Sequence, residues 1–368
     1  AEKHPGLVLG GTKRLLGMRY DSPEVQELIK NKHFECFNLV SDKGGRVKIE
    51  FTKGGKITTM FPWKVSLMIL RHLHNLICQR FNYDSTKKVK AVISVPANFT
   101  HFQRAETIRA GTVAGFEVMR VINEPTAAAI SELMDAPEKD LRLMVFDFGG
   151  GALDVTVMDV STVNEKNSFK VVSTHGDTFL GGVDFDREIA QMALEQIAEH
   201  FPYEYDLYFN ANEKSEKALS LVRRKQYILR KLAQEAKEAS LSKRKDATIV
   251  LTKLGDLFDD EEVTIGYKTF VERTKPLFER CIRCIEQALN VRKVDKESID
   301  VVLMVGGSSN FQEIRDRVRA FFDGRDIIRS NVGNQHAIAK GAGLMALQLG
   351  AHPGLFSIQE VCPVSLGL

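Results

Sequence analysis

The chain has 368 residues, 43% of them hydrophobic and 27% charged, with a formal net charge of +3. This is an ordinary globular composition, long enough for two or more packed units. Its weak, interspersed charge gives no reason to expect a nucleic-acid or membrane partner. No apolar run approaches the roughly 18 residues that a membrane span needs. The opening "AEKHPGLVLGG" has neither a signal-peptide core nor an initiator Met, so Ala1 is expected not to be the true N-terminus. Five cysteines, Cys36, Cys78, Cys281, Cys284 and Cys362, are odd in number and scattered. Such a set reads as reduced thiols in a reducing compartment.

In chain order, "DSPEVQELIK" from Asp21 opens as a capped helix, with Ser22 as N-cap and Pro23 in the first turn. "RVKIEFTKGGKITTMFP" alternates on both sides of Gly54-Gly55 and predicts a hairpin. "WKVSLMILRHLHNLICQRF" predicts a long apolar helix; His72 and His74 fall on different faces, which suits structural residues better than ligands. "VKAVISVP" reads as a buried strand stopped by Pro96, and "HFQRAETIRAGTVAG" as a helix ending at Gly115. "LRLMVFDF", "LDVTVMDV" and "SFKVVSTHG" predict a three-stranded antiparallel meander whose first turn is "GGGA". Asn212 to Ser242 is helical and highly charged, mostly a solvated face. Cys281 and Cys284 form a C-x-x-C, but they share a helix face with Leu277 and no second Cys pair exists. They read as buried small hydrophobes in preference to zinc or redox ligands. "IDVVLMV" is a further strand, running into Gly306-Gly307 and a helix from Ser309, and "GAHPGLFSIQE" has the Gly and Pro of a linker.

Chemistry concentrates at "VFDFGGGALDVTVMDV", Val145 to Val160. Glycines there permit positive φ and close approach of a ligand, and successive N–H groups make an anion nest. A carboxylate beside such a nest repels phosphate unless a cation lies between, so Asp147 suggests a Mg²⁺-bound phosphate chain. The plain alternative is a glycine-rich hairpin with aspartates for solubility. No P-loop, dinucleotide fingerprint or kinase catalytic set is present. A second diglycine, "VGGSS" (Val305 to Ser309), offers N–H groups at a strand-to-helix junction. Two such loops suggest a nucleotide held between two lobes.

"VISVPANF", "VINEPTAAAI", "VFDFGGGALDV", "GDTFLGGVDFD" and "VLMVGGSS" follow one another in an order that resembles the nucleotide-binding domain of the seventy-kilodalton heat-shock chaperones. The resemblance runs from about Lys13 to the end. It implies an α/β, actin-like two-lobed ATPase fold with ribonuclease-H-like subdomains. Lobe I would span 1–135, lobe II 136–335, a helix returning to lobe I 336–352, the interdomain linker 353–361, and the start of a peptide-binding domain 362–368. It also implies roles. Lys13 would orient the attacking water. Glu124 and Asp147 would hold Mg²⁺ through water, and Gly149, Gly150, Gly151 and Ala152 would form the phosphate loop with Asp154 close to the cations. Glu235, Ser242, Gly307 and Ser308 would lie on the nucleoside side. Pro96 and Arg104 would relay nucleotide state towards the linker, and Arg120 would meet a J-domain co-chaperone. ATP or ADP with Mg²⁺ would be bound. The implied partners are that co-chaperone, a nucleotide exchange factor and unfolded polypeptide, with the cytoplasm as default compartment.

The departures from the family pattern set up a choice. The family begins with a strand and loop like "GIDLGTTYS"; this chain starts after it and is expected to be a fragment, because a sheet lacking those strands would expose unpaired edges. Ala152 stands where the family has Thr. Glu238 and Ala239 replace a lysine and an adenine-stacking arginine. Val183, Asn310 and Gln335 replace charged residues near the nucleoside, and "LFSIQE" is more polar than the family's leucine-rich linker. The chain therefore reads either as an ATP-hydrolysing chaperone, favoured by Lys13, Glu124 and Asp147, or as a non-catalytic scaffold or regulator, favoured by Ala152 and the altered nucleoside side. A small-molecule kinase of the same superfold would need a sugar-pocket aspartate that the sequence does not signal.

Overall fold

The structure, a computed structural model, describes residues 8–30, 34, 36–133, 140–163, 166–210, 216–329 and 336–361. Gln335, Cys362 and the tail 362–368 lie outside the described residues. In chain order the elements are α1 (Pro23–Lys30), β1 (Asn38–Ser41), β2 (Val47–Lys53), β3 (Lys56–Met60), α2 (Pro62–Arg80), β4 (Val89–Val95), α3 (His101–Ala114), β5 (Phe116–Asn123) and α4 (Glu124–Leu133). Then come β6 (Leu141–Phe148), β7 (Leu153–Val163), β8 (Lys166–Asp177), α5 (Gly182–His200), α6 (Pro202–Tyr208) and α7 (Glu216–Ala239). The remainder is β9 (Ala247–Val250), β10 (Glu262–Ile265), α8 (Tyr267–Asn290), β11 (Val301–Val305), α9 (Gln312–Phe321), β12 (Ile328–Arg329), α10 (Ala337–Gly350) and β13 (Phe356–Gln359).

Local chemistry explains many of these boundaries. The Ser22 hydroxyl accepts the Val25 N–H at 3.4 Å and caps α1. Gly54 and Gly55 both take positive φ, 57° and 72°, and join the paired residues Lys53 and Lys56 in a two-residue hairpin. A reciprocal Thr100–Gln103 capping box starts α3, and Gly115 at φ 111° stops it. A side chain at Gly115 would also come within 2.9 Å of His74 Nε2. His74 is buried and packs edge-on against Phe116, as befits a structural histidine.

The chain divides into two compact units, residues 1–65 with 183–277 and residues 66–182 with 278–368. It passes between them within α2, at the start of α5 and within α8. Each unit takes chain from both of the lobes expected from sequence. The first unit contains the antiparallel sheet β1-β2-β3 and the hairpin β9-β10 together with α1, α6 and α7. The second contains a six-stranded sheet in the order β12-β11-β6-β7-β8-β13 and a parallel pair β4-β5. The expected meander is present: β6-β7-β8 is antiparallel, while β11 runs parallel to β6. Its core joins Val145, Phe169 and Leu303 from the sheet to Ala127–Ile130 of α4 and Met345 of α10. Gly341 lets α10 approach α4 closely; a Cβ there would fall 2.9 Å from Ala127 Cα and collide with the Ala127 carbonyl. Cys281 and Cys284 are both buried on α8; burial pushes the Cys281 thiol well up and Cys284 to about 12. Their behaviour is that of small hydrophobes.

Two segments differ from the sequence reading. The helix expected from Ser309 begins as α9 at Gln312, because Gly307–Asn310 forms a 3-10 turn. The Ser309 N–H and hydroxyl both donate to the Gly306 carbonyl, at 3.2 and 2.7 Å, and close that turn instead. Within the segment expected as linker, Phe356–Gln359 is a strand, β13, parallel to β8. Phe356 is buried edge-on against Phe169, and its N–H donates to Gln348 Oε1 at 2.8 Å. A buried aromatic and a sheet edge outweigh the flanking Gly and Pro.

Candidate functional site

The glycine turn lies in the second unit and joins β6 to β7. Phe148 and Leu153 are the last paired residues, and the Gly149 N–H donates to the Ala152 carbonyl at 3.0 Å. This closes a four-residue loop. Positive φ was the expected use of these glycines; Gly149, Gly150 and Gly151 do not adopt it. A Cβ on Gly150 would meet nothing within 4 Å. The close approach comes from elsewhere. At Gly181 a Cβ would lie 2.6 Å from Gly151 N and collide with the Gly150 carbonyl. At Gly306, φ 85°, it would lie 3.0 Å from Asp147 Oδ1 and collide with the Phe148 carbonyl. At Gly176 it would lie 2.8 Å from Asp154 Oδ1. Gly182 N–H completes the cradle by donating to Gly149 O at 3.1 Å. The loop and its flanking strands are thus approached from outside by Gly176, Gly181 and Gly306; the sequence pointed to Gly306, as part of the second diglycine, but not to Gly176 or Gly181.

Asp147 and Asp154 are directly opposite one another in the β6–β7 register, and both are buried. Like charges at directly opposed strand positions are destabilising. Such a pair is retained where a cation or strong donors act on it. One donor is Asn98, whose Nδ2 gives Asp154 Oδ1 a hydrogen bond of 2.7 Å. Asn98 follows Pro96, and the sequence reading missed it. Arg104 fixes that segment: its guanidinium donates to the Phe99 carbonyl at 3.0 Å, the Ala97 carbonyl at 2.9 Å and Asn123 Oδ1 at 2.7 Å. Asn123 ends β5, and Glu124 is the first residue of α4. The structure therefore brings Pro96, Arg104 and the base of Glu124 into one bonded network. Arg120 lies further back on β5, opposite Val92. Gly307 and Ser308 are in the 3-10 turn after β11, beside β6. Arg315 anchors that turn by donating to the Ser309 carbonyl at 3.1 Å and to Asn310 Oδ1 at 3.2 Å.

The remaining expected residues belong to the first unit. Lys13 is exposed on a 3-10 turn, Thr12–Leu15. Its neighbour Arg14 is buried and forks onto Asp184, Nη1 to Oδ1 at 3.1 Å and Nη2 to Oδ2 at 2.7 Å. This bidentate geometry ties the Lys13 turn to the first turn of α5. Asp186, on the same helix, pairs with Lys237 of α7 at 2.6 Å. Burial raises the Asp186 carboxyl to about 6, against the pull of Lys237. At the C-terminal end of α7, Glu235 pairs with Lys253 at 3.3 Å and the Ser242 hydroxyl donates to the Glu238 carbonyl at 3.3 Å. Both face solvent in local contacts.

Magnesium is a hard cation that keeps several waters and needs one or two carboxylates. A buried, opposed Asp147–Asp154 pair suits that demand. No group of three or more His, Cys, Asp or Glu that could hold a metal ion occurs among the described residues, so a closed all-protein cage is not offered. Among the described residues no helix is long and apolar enough to cross a membrane. The family model described as "Hsp70 protein" matches residues 3–368. With that match comes the actin-like ATPase fold, and the mixed α/β units agree with it. The chain belongs to the Hsp70 family, chaperones built on a nucleotide-binding ATPase domain.

Proposed function

We propose that this chain binds magnesium-ATP at the β6–β7 loop and hydrolyses it, and that the nucleotide state controls peptide capture by a chaperone. The observation that carries the reading is the buried Asp147–Asp154 pair at the mouth of a glycine loop clamped by three further glycines. Phosphoryl transfer to water rests on positioning and electrostatics. The loop amides and the Gly306–Ser309 turn orient the phosphate chain. Asp147, with Asp154 and Glu124, would hold a hydrated magnesium ion, and that ion would supply charge neutralisation at the phosphates. Asn98 keeps Asp154 oriented, and Arg104 keeps Asn98's segment and Asn123 in place. Lys13 orients the attacking water. The partners of such a cycle are a J-domain co-chaperone that meets Arg120, a nucleotide exchange factor and unfolded polypeptide.

Single-turnover ATP hydrolysis by the full-length protein tests this. Turnover that falls with Lys13→Ala and rises with a J-domain protein and peptide is the expected result; no turnover by folded protein sinks it. A second reading has its own support. Ala152 puts a methyl group where a hydroxyl would serve, and Glu235 and Ser242 are engaged in surface contacts. On that reading the chain is a non-catalytic or weakly catalytic scaffold or co-chaperone regulator, and it binds nucleotide without turnover.

A further inference from the structure

One ion pair of the second unit is bonded to the turn that braces the glycine loop. Arg280, midway along α8, donates from Nε and Nη2 to Asp177 Oδ2 at 3.1 and 2.6 Å, and from Nη2 to the Phe179 carbonyl at 3.4 Å. Asp177 ends β8 opposite Leu153, the residue that follows the loop. Its other oxygen, Oδ1, accepts the Phe179 N–H at 2.9 Å, and its carbonyl accepts the Leu180 N–H at 3.3 Å. The arginine thus holds a turn whose next residues are Gly181 and Gly182, the two that meet the loop at Gly149, Gly150 and Gly151. A second tie fixes the helix against the strand: the buried Ser173 hydroxyl donates to the Ala288 carbonyl at 2.6 Å. From 280 to 288 a helix rises about 12 Å, and from 177 back to 173 a strand spans about 13 Å. The two ties agree in spacing, so α8 runs antiparallel along β8 and delivers Arg280 at the strand's end. The Arg280 and Asp177 side chains are 34% and 24% exposed, and a pair so wetted contributes little to global stability. What the fork supplies is geometry.

We propose that Arg280 is a positioning residue for the β6–β7 loop: it holds the turn at 177–180 in the form that presses Gly181 against Gly150 and Gly151, and so sets the loop's affinity for a magnesium-bound nucleotide. The second half of this rests on the reading of the loop as a phosphate site. Without the fork, Asp177 keeps its own bonds to the turn, but the turn is no longer tied to α8. Gly181 and Gly182 lift with it, and the loop amides lose the brace that aims them. Arg273, on the same helix, is a matched comparison. It donates to Glu188 and Glu195 of α5 at 3.1 and 2.9 Å and is 41% exposed, and neither carboxylate belongs to the bracing turn.

Hydrogen exchange on the nucleotide-free full-length protein, with magnesium-ADP titrations beside it, tests the proposal. Arg280→Gln is expected to speed exchange of the amides at 149–152 and 181–182 about fivefold or more, to leave the β9–β10 hairpin unchanged, and to weaken magnesium-ADP about fivefold or more. Arg280→Lys keeps the charge without the planar fork and should fall between the variant and wild type. Arg273→Gln removes an ion pair of similar exposure and should leave loop exchange and ADP affinity at wild type. Asp177→Asn keeps an acceptor for the Phe179 N–H. Combined with Arg280→Gln it should be no worse than the worse single variant, because both act through one contact. Unchanged loop exchange in Arg280→Gln, the same change in Arg273→Gln, or faster loop exchange with unaltered ADP affinity would overturn the proposal. Failure of the nucleotide reading looks different: wild type itself then binds no magnesium-ADP, while the exchange contrast between Arg280→Gln and Arg273→Gln still decides whether Arg280 positions the loop.

Discussion

Gly181→Ala is expected to damage the nucleotide loop more than Gly150→Ala, although Gly150 belongs to the triple-glycine motif and Gly181 does not. A Cβ at Gly181 falls 2.6 Å from Gly151 N and collides with the Gly150 carbonyl, where ordinary contact begins at 3.4 Å. Both neighbours are backbone, so no side chain can swing aside, and the loop must retreat by about 1 Å to clear the Gly150 carbonyl. Overpacking of this kind costs about 1–3 kcal/mol. The adjacent Gly182 N–H to Gly149 O bond, at 3.1 Å, is stretched by the same retreat and contributes about 1 kcal/mol more. The expected loss is therefore about 2–4 kcal/mol, read as a lower urea midpoint. Gly150 has no heavy atom within 4 Å of its ideal Cβ and no positive φ, so Gly150→Ala should stay within about 0.5 kcal/mol of wild type. Hydrogen exchange of the loop amides should quicken in the first variant only. Equal urea midpoints for Gly181→Ala and wild type, or equal losses in both variants, would refute the claim that the loop is gripped from outside.

Three further outcomes follow from the same geometry. Asp186 has a folded pKa of about 6 against an ordinary 3.8, so the folded state holds that proton more tightly. Its contribution is fully present below about pH 4 and is lost as pH rises through about 6; Asp186→Asn should remove about 3 kcal/mol of that decline from urea midpoints measured across the range. Ala152→Thr restores a hydroxyl at the loop, and if hydrolysis lacks such a donor, single-turnover rates should rise by about 10²-fold or more; an unchanged rate says the hydroxyl is not what limits this chain. Arg104→Lys keeps the charge but not the fork that reaches Phe99, Ala97 and Asn123, so it should cost about 1–3 kcal/mol in urea and lower nucleotide affinity. Wild-type stability in that variant would show that the network is redundant.

Most of the elements were legible because their signals are local. The hairpin at Gly54-Gly55, the stop at Gly115 and the meander after Leu141 each rest on period-two alternation or on a glycine whose own φ demands it. What failed to show was anything set by a distant neighbour. The glycines at 149–151 look like the conformational centre of the site, yet the steric demand sits at Gly176, Gly181 and Gly306, each decided by what packs against it. Arg14 and Asp184 are 170 residues apart, and no spacing rule connects them. Phe356 reads as part of a flexible join until β8 offers it an edge and Phe169 a ring.

The same distinction bears on the chemistry. Two aspartates seven positions apart around a run of glycines say little by themselves, and a plain solvated hairpin fits them. Antiparallel register puts Asp147 opposite Asp154, and the flanking strands and α4 then bury both. A solubility role does not explain carboxylates taken out of water at directly opposed strand positions. Two buried carboxylates in opposed register suit the one or two carboxylates that a hydrated magnesium ion needs. A loop that closes on its own carbonyl at Ala152 and is braced by three outside glycines is rigid enough to present that charge to a phosphate chain. The case for nucleotide chemistry thus rests on the pairing of the carboxylates and the bracing of the turn, more than on the glycine count that first drew attention to it.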